Sequence, residues 1–212
     1  IPINWESKKS KELCFYNYMF QLTCTQIINT ELLQQFMYNS TNKLFNNHTS
    51  DNIFQEFEQK FGPILYQKYT HLSALCIHCY TISQYKLQEN VPLIEGLSND
   101  TFAFSIDSKS DAVFAAIILS PELYELLNFT EMEKMAAIAH EVGHVIHYFN
   151  EALNTAGTMM IEIKADEVAA ELGLAEPLKS VLHKLKSSKQ YSEKQCQLMD
   201  LRIQILNYYD VS

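Results

Sequence analysis

Two histidines and a glutamate in this chain stand at a spacing that suits metal-dependent hydrolysis. The segment His140-Glu141-Val142-Gly143-His144 has the form H-E-x-x-H. On a helix, residues four apart lie one above the other, so His140 and His144 can both reach one metal ion at about 2.0 to 2.1 Å. Glu141 is turned about 100° away and can reach a metal-bound water instead. The spacing predicts a catalytic zinc site with Glu141 as general base.

The residues before the motif predict a long helix with a defined start. Thr130 and Glu133 have the spacing of a capping box, in which each side chain binds the backbone N–H of the other. Apolar residues follow on several helix faces: Met135, Ala136, Ile138, Ala139, Val142, Val145 and Ile146. In a buried helix, two histidines and a glutamate without a metal would leave polar groups that are costly to bury. This context favours a metal site.

A catalytic zinc site usually has three protein ligands, so another residue must join the two histidines. A downstream helical segment offers Glu162 and Asp166, which are four apart and share one face. Glu167 and Glu171 form a competing pair on another face. We predict Glu162 as the third ligand and Asp166 as the acceptor for the second N–H of a ligating histidine.

The composition limits the classes of partner. The chain has 212 residues, 47% of them hydrophobic, and a formal net charge of −9. This charge argues against nucleic acid as a main partner, because phosphate contacts need clustered cations. No run of about eighteen apolar residues occurs, so no membrane span is expected. Five cysteines, an odd and small number, favour a reducing compartment and hence a cytoplasmic location, although a leader or anchor removed before Ile1 stays open.

The chain divides by pattern near residue 90. Residues 8–38 have an amphipathic helical spacing, and a second helix is expected from Asp51, interrupted at Gly62-Pro63 and resumed from Ile64 to Leu87. Residues 1–90 are therefore predicted to be a helical N-terminal region of unknown function. The stretch Cys76 to Cys79 is interpreted as part of a structural helix rather than as a second metal site.

Residues 91–212 are predicted to form the catalytic domain. Strands are expected at residues 101–106, where apolar and smaller residues alternate, and over the apolar run Ala112 to Leu119. Helices should begin at Pro121, Thr130, Pro177 and Ser192, with another around residues 159–172. The predicted class is α+β and mostly helical.

The chain resembles the gluzincin metallopeptidases. The motifs that carry the resemblance are His140-Glu141-x-x-His144 and Glu162-x-x-x-Asp166. Within that group the chain is most similar to the CAAX prenyl endopeptidases and heat-shock membrane proteases, and to their small soluble relatives, the minigluzincins. The two strands and Arg202-Ile203-x-x-Leu206 in the last helix also resemble that family. The resemblance covers residues 91–212, and the family's transmembrane helices are missing.

The resemblance implies a zincin-like fold, with a small sheet, an active-site helix beneath it and a glutamate helix alongside. In such proteases an edge strand binds the extended substrate through main-chain hydrogen bonds. The strand expected to do so here is Ala112 to Leu119, with the substrate-binding residues Ala112, Val113, Phe114, Ala115 and Ala116. The oxyanion also needs a donor besides zinc. The candidates are Arg202, which matches the family's arginine, and His183 or Tyr148.

The resulting expectation is a zinc metalloendopeptidase that cuts peptides or unfolded segments of proteins. One alternative is an inactive or regulatory metal-binding protein of the same fold, in which residues 1–90 cover the cleft or bind a partner. Another is a zinc hydrolase acting on a non-peptide amide, as in the deformylases. Those enzymes take a cysteine ligand from a Gly-Cys motif, and no cysteine here has that context.

Overall fold

The computed structural model describes residues 44–70, 72, 77–87, 103–107, 114–147, 158–188 and 190–209. The strands are β1 (Phe45–Asn47), β2 (Ile77–Thr81), β3 (Ala103–Asp107) and β4 (Phe114–Leu119). The helices are α1 (Ile53–Lys68), α2 (Ile82–Lys86), α3 (Pro121–Leu126), α4 (Glu131–His147), α5 (Thr158–Glu171), α6 (Ala175–Ser187) and α7 (Glu193–Leu206). This part of the chain is mostly helical with a small sheet, which confirms the predicted α+β class.

The four strands form one mixed sheet in the order β1-β2-β4-β3. The strands β1, β2 and β4 run parallel, and β3 runs antiparallel to β4. Because β2 and β4 each pair on both sides, β1 and β3 are the edges of the described sheet. The residues of β4 from Ala115 to Leu119 are all buried, as expected for a strand covered on both faces.

The prediction that the first ninety residues are helical agrees with α1 and α2, but it is wrong for the two strands of that region. β1 and β2 lie in it, and β2 pairs in register with β4, with Ile77 opposite Ala115. The predicted boundary at residue 90 therefore falls between strands of a single sheet. A short apolar run such as Ile77–Thr81 fits helix or strand by pattern, and long-range pairing decides between them. The helix predicted over residues 8–38 lies outside the described residues.

The expected break at Gly62-Pro63 is also wrong, because α1 continues through both residues. A proline inside a helix removes one backbone hydrogen bond and usually kinks or ends the helix. Here one face of α1 buries large side chains on both sides of the proline, including Phe54, Phe57 and Leu65. Packing of this face outweighs the local preference.

The central helix of the fold is α4, which packs against α1, α5, α6 and the strands β3 and β4. It begins at the predicted capping box: the Thr130 N–H donates to Glu133 at 2.6 Å, and the Glu133 N–H donates to the Thr130 hydroxyl at 3.3 Å. All residues from Met135 to Ile146 are buried. The described part of the chain contains no helix that is both long and apolar enough to cross a membrane.

Candidate metal centre

The two motif histidines face each other on the buried helix α4. The Nε2 atoms of His140 and His144 are 3.0 Å apart, and their rings are nearly perpendicular, with centroids 4.5 Å apart. Glu141 lies between them in sequence and is 7% exposed. The helical spacing of four residues therefore brings both imidazoles to one point, as the sequence predicts.

Glu162 on α5 completes a group of three potential ligands. Its carboxylate oxygens lie 3.4 Å from the Nε2 atom of His140 and 3.6 Å from the Nε2 atom of His144. The three donor atoms all lie within 4.8 Å of one another. The predicted competitors point elsewhere, since Glu167 pairs with Lys164, and Glu171 binds Lys68 and the Tyr69 hydroxyl. Of the two acidic pairs, the structure brings Glu162 and Asp166 to the histidines.

The approach of α5 to α4 depends on Gly143. A Cβ atom placed on Gly143 would lie 2.7 Å from both the Cα and the carbonyl oxygen of Ala165. These are backbone atoms, so no side-chain rotation can relieve the contact. The absence of a side chain at residue 143 allows the glutamate helix to lie directly against the histidine helix.

Replacing Gly143 with alanine is expected to destabilise the protein. Overpacking of a tight contact typically costs about 1–3 kcal/mol, more than the roughly 1 kcal/mol by which alanine favours a helix over glycine. Urea unfolding followed by circular dichroism measures the change. A Gly143→Ala protein at least as stable as the wild type would show that the helices can separate freely.

Asp166 orients His140 from behind. The Nδ1 atom of His140 lies 2.8 Å from the Oδ1 atom of Asp166, which is 2% exposed. A carboxylate accepts from this nitrogen, so Nδ1 carries a proton and Nε2 is the atom that faces Glu162 and His144. This is the arrangement predicted from the sequence for a metal-binding histidine.

Arg202 joins the two carboxylates of α5, and its role differs from the predicted one. Its Nε and Nη2 atoms each donate to Asp166 at 2.7 Å, and its Nη1 atom donates to Glu162 at 2.8 Å. The predicted role was stabilisation of an oxyanion. The structure instead makes Arg202 a positioning residue that fixes Glu162 and Asp166 beside the histidines, with the planar geometry that suits guanidinium–carboxylate pairs.

Of the other two proposed oxyanion donors, His183 is not part of the centre. His183 is exposed on α6, where it lines a surface cavity of about 690 Å³ together with Leu126, Lys179 and Lys184. None of the three potential ligands lines this cavity. Tyr148 lies outside the described residues. The prediction for His183 is therefore wrong, and that for Tyr148 stays a prediction.

The strand predicted to bind the substrate, β4, is not an edge of the described sheet. Within β4, Ala115 pairs with Ile77 and Ile106, so hydrogen-bonding partners lie on both of its sides. Phe114 and Ala116 likewise belong to this internal strand, whereas Ala112 and Val113 lie outside the described residues. A run that is apolar on both faces is typical of a central strand.

The electrostatics of the centre suit a cation. Burial raises the pKa of Glu162, but the hydrogen bond with His140 and the charge of Arg202 outweigh burial and hold the pKa well below its usual range. The pKa of Asp166 is likewise lowered, because the charge of Arg202 and the contact with His140 outweigh burial. Two carboxylates thus face one guanidinium, which leaves one negative charge for a histidine proton or a metal ion to offset.

The pKa values of the two histidines shift in opposite directions. Burial and Arg202 lower the pKa of His140, but hydrogen bonds with Asp166 and Glu162 outweigh both and raise it to about 9. Burial, followed by the charge on His140, lowers the pKa of His144 to about 3. A metal ion that binds here would replace any proton that the Nε2 atoms carry. Burial also raises the pKa of Glu141 to about 7, where a carboxylate can both accept and return a proton.

The donor positions fit a tetrahedral ion. Ligand distances of about 2.0–2.1 Å place tetrahedral donor atoms roughly 3.3 Å apart. The observed separations of 3.0, 3.4 and 3.6 Å surround that value. The residues that would hold the ion are His140, His144 and Glu162, and a fourth position would remain for water or substrate.

A second histidine pair shows that this geometry is not general. The rings of His48 and His78 have nitrogens 3.0 Å apart, but their planes differ by only 5° and their centroids are 5.3 Å apart. These rings meet head on, as in one N–H···N hydrogen bond. The rings of His140 and His144 instead converge at an angle, and their centroids are 0.8 Å closer than those of His48 and His78. Of the two pairs, this one directs both of its Nε2 atoms towards a common point.

Comparisons with protein-family models, with curated proteins and with solved structures give no significant match to this chain.

Proposed function

We propose that this chain is a zinc-dependent metallopeptidase of the gluzincin type. The observation that carries the proposal is the convergence of His140, His144 and Glu162, with Glu141 buried beside them. Three N and O donors suit zinc, and three protein ligands are the number found in catalytic rather than structural zinc sites. The helix α4 packs against a small sheet and also against α5, and this arrangement supports a zincin-like fold.

The chemistry would be divided between the ion and the chain. Bound zinc supplies Lewis acidity, which polarises a carbonyl group and lowers the pKa of water towards about 7. Glu141 accepts the proton of the attacking water and then delivers it to the departing amine. Asp166 keeps His140 in the tautomer that binds through Nε2, and Arg202 keeps both carboxylates in place.

We further propose that β3, and not β4, binds the extended substrate. In the described sheet β3 is an edge, and it also contacts α4, the helix that carries the motif. An edge strand has unpaired N–H and C=O groups along one side, so a peptide can add to it as a further strand. A peptide added there would lie near α4, the helix that bears Glu141.

The proposal is tested with purified protein, a library of quenched fluorescent peptides and zinc measurement by mass spectrometry. We expect about one zinc ion per chain and hydrolysis of internal peptide bonds. Removal of the metal with 1,10-phenanthroline should reduce hydrolysis to the background rate, and added zinc should restore it. Hydrolysis that persists after verified zinc removal would overturn the proposed mechanism, and a zinc-loaded chain that cleaves no peptide would overturn the proposed activity.

A further inference from the structure

The centre is not equally buried on all sides. The side chains of His140 and His144 are 10% and 7% exposed, and that of Asp166 is 2% exposed. Glu162 is the exception, with a side chain that is 21% exposed. Glu162 lies closer to the beginning of α5 than Asp166 does. Glu162 is therefore the potential ligand most accessible to solvent, and it directly follows the first turn of α5.

Met159 occupies that first turn on the face that carries the ligand. It precedes Glu162 by three residues, so the two side chains are neighbours on the helix surface. A side chain on a helix also leans towards the helix N-terminus, so the side chain of Met159 lies over the beginning of α5. Met159 is 47% exposed although it is a large apolar residue.

The first turn of α5 carries no charge that would compete with an apolar contact. Its sequence is Thr158-Met159-Met160-Ile161, and it contains no acidic residue. Methionine is flexible and polarizable, and exposed methionines recur on surfaces that bind varied apolar side chains. The first turn of α5 therefore presents uncharged, mostly apolar residues beside the charged residues of the centre.

We propose that Met159 determines specificity by contacting a large apolar side chain of the peptide next to the bond that is cut. This inference rests on the proposed function and names its substrate class. An apolar side chain would cover the exposed surface of Met159 and remove it from water. A charged side chain at the same place would lose water without gaining a partner on the first turn of α5.

The direct test observes the methionine methyl groups by NMR. Zinc-loaded protein carrying Glu141→Gln and ¹³C-methyl methionine is titrated with two blocked hexapeptides of alanine and glycine, one with a leucine and one with an aspartate at the same position. The signal of Met159 is assigned by its loss in the Met159→Gln variant. We expect the leucine peptide to shift this signal at concentrations at least about tenfold lower than the aspartate peptide. An unshifted Met159 signal, or equal responses to the two peptides, would overturn the proposal.

Turnover by the otherwise unaltered protein gives a second test. Met159→Gln is expected to lower kcat/KM for the leucine peptide about tenfold, mainly through KM, because the lost contact is made before and during the reaction. Met159→Leu should restore it. Met132→Gln is the matched control, since Met132 is also exposed but stands on the first turn of α4, eight residues before His140. If Met132→Gln produces the same loss, Met159 has no special role.

These results separate the two proposals. A leucine-dependent shift at Met159 without hydrolysis by the wild-type protein would support the peptide site and reject the proposed activity. Hydrolysis of the leucine and aspartate peptides at equal rates would support the activity and reject the role of Met159.

Discussion

Glu162→Ala is expected to abolish stoichiometric zinc binding while leaving the protein folded. The substitution removes one of three donors, so the zinc affinity should fall by more than the roughly 10–100-fold that loss of a ligand's outer hydrogen-bond partner costs. The fold should survive because Arg202 keeps both of its hydrogen bonds to Asp166. Zinc content after dialysis against a weak chelator measures the loss, and circular dichroism checks the fold.

Glu167→Ala is the matched control on the same helix. Glu167 forms an ion pair with Lys164 and takes no part in the group of three donors, so its removal should leave zinc binding unchanged. If Glu162→Ala retains a full equivalent of zinc, the third ligand has been assigned wrongly. If both variants lose zinc equally, the loss reflects damage to α5 rather than loss of a donor.

The local part of this centre was predictable because helical geometry fixes it. The spacing of His140 and His144 determines that the two rings share one face, and the same spacing pairs Glu162 with Asp166. Capping residues also made the starts of two helices predictable, because Thr130 and Ser192 both begin capping boxes where the pattern predicts them. These features depend on residues at most four apart.

Arg202 shows what the sequence could not provide. Its contact with Glu162 joins residues forty apart, and nothing in the local pattern of α7 indicates which carboxylate its side chain meets. As the only arginine of the chain it was a candidate for a functional role, and its match to the arginine of the family that the chain resembles suggested an oxyanion donor. The tertiary contacts instead make it the group that holds the two carboxylates of α5 in position.

Only half of the described strands were predictable from the sequence, and their arrangement in the sheet was not. Patterns identified β3 and β4, whereas β2 was assigned to a helix because a short apolar run has no distinct period. The order of strands depends on pairing between segments far apart in sequence, such as Ile77 with Ala115. The error about the edge followed directly, since an internal position for β4 becomes evident only when β2 is known to be a strand.

Glu141→Gln is expected to remove hydrolysis while keeping both zinc and the fold. Glutamine has nearly the same size as glutamate but does not act as a base at neutral pH, so the reaction loses its proton acceptor. General acid–base catalysis contributes about 10²–10⁴-fold to enzymatic rates, and we expect a loss of kcat in that range. Steady-state hydrolysis of the best peptide, together with zinc content, measures both effects.

Glu133, a second glutamate of α4, provides a control that distinguishes an effect on catalysis from an effect on stability. Glu133 is buried and accepts hydrogen bonds from Ser180 at 2.6 Å and Lys184 at 2.7 Å, which outweigh burial and lower its pKa to about 2. Glu133→Gln should therefore cost about 1–3 kcal/mol of stability and leave kcat unchanged. The opposite pattern is expected of Glu141→Gln, because burial raises the pKa of Glu141 and makes its charged form unfavourable. Full hydrolysis by a zinc-bound Glu141→Gln protein would show that another group takes the proton.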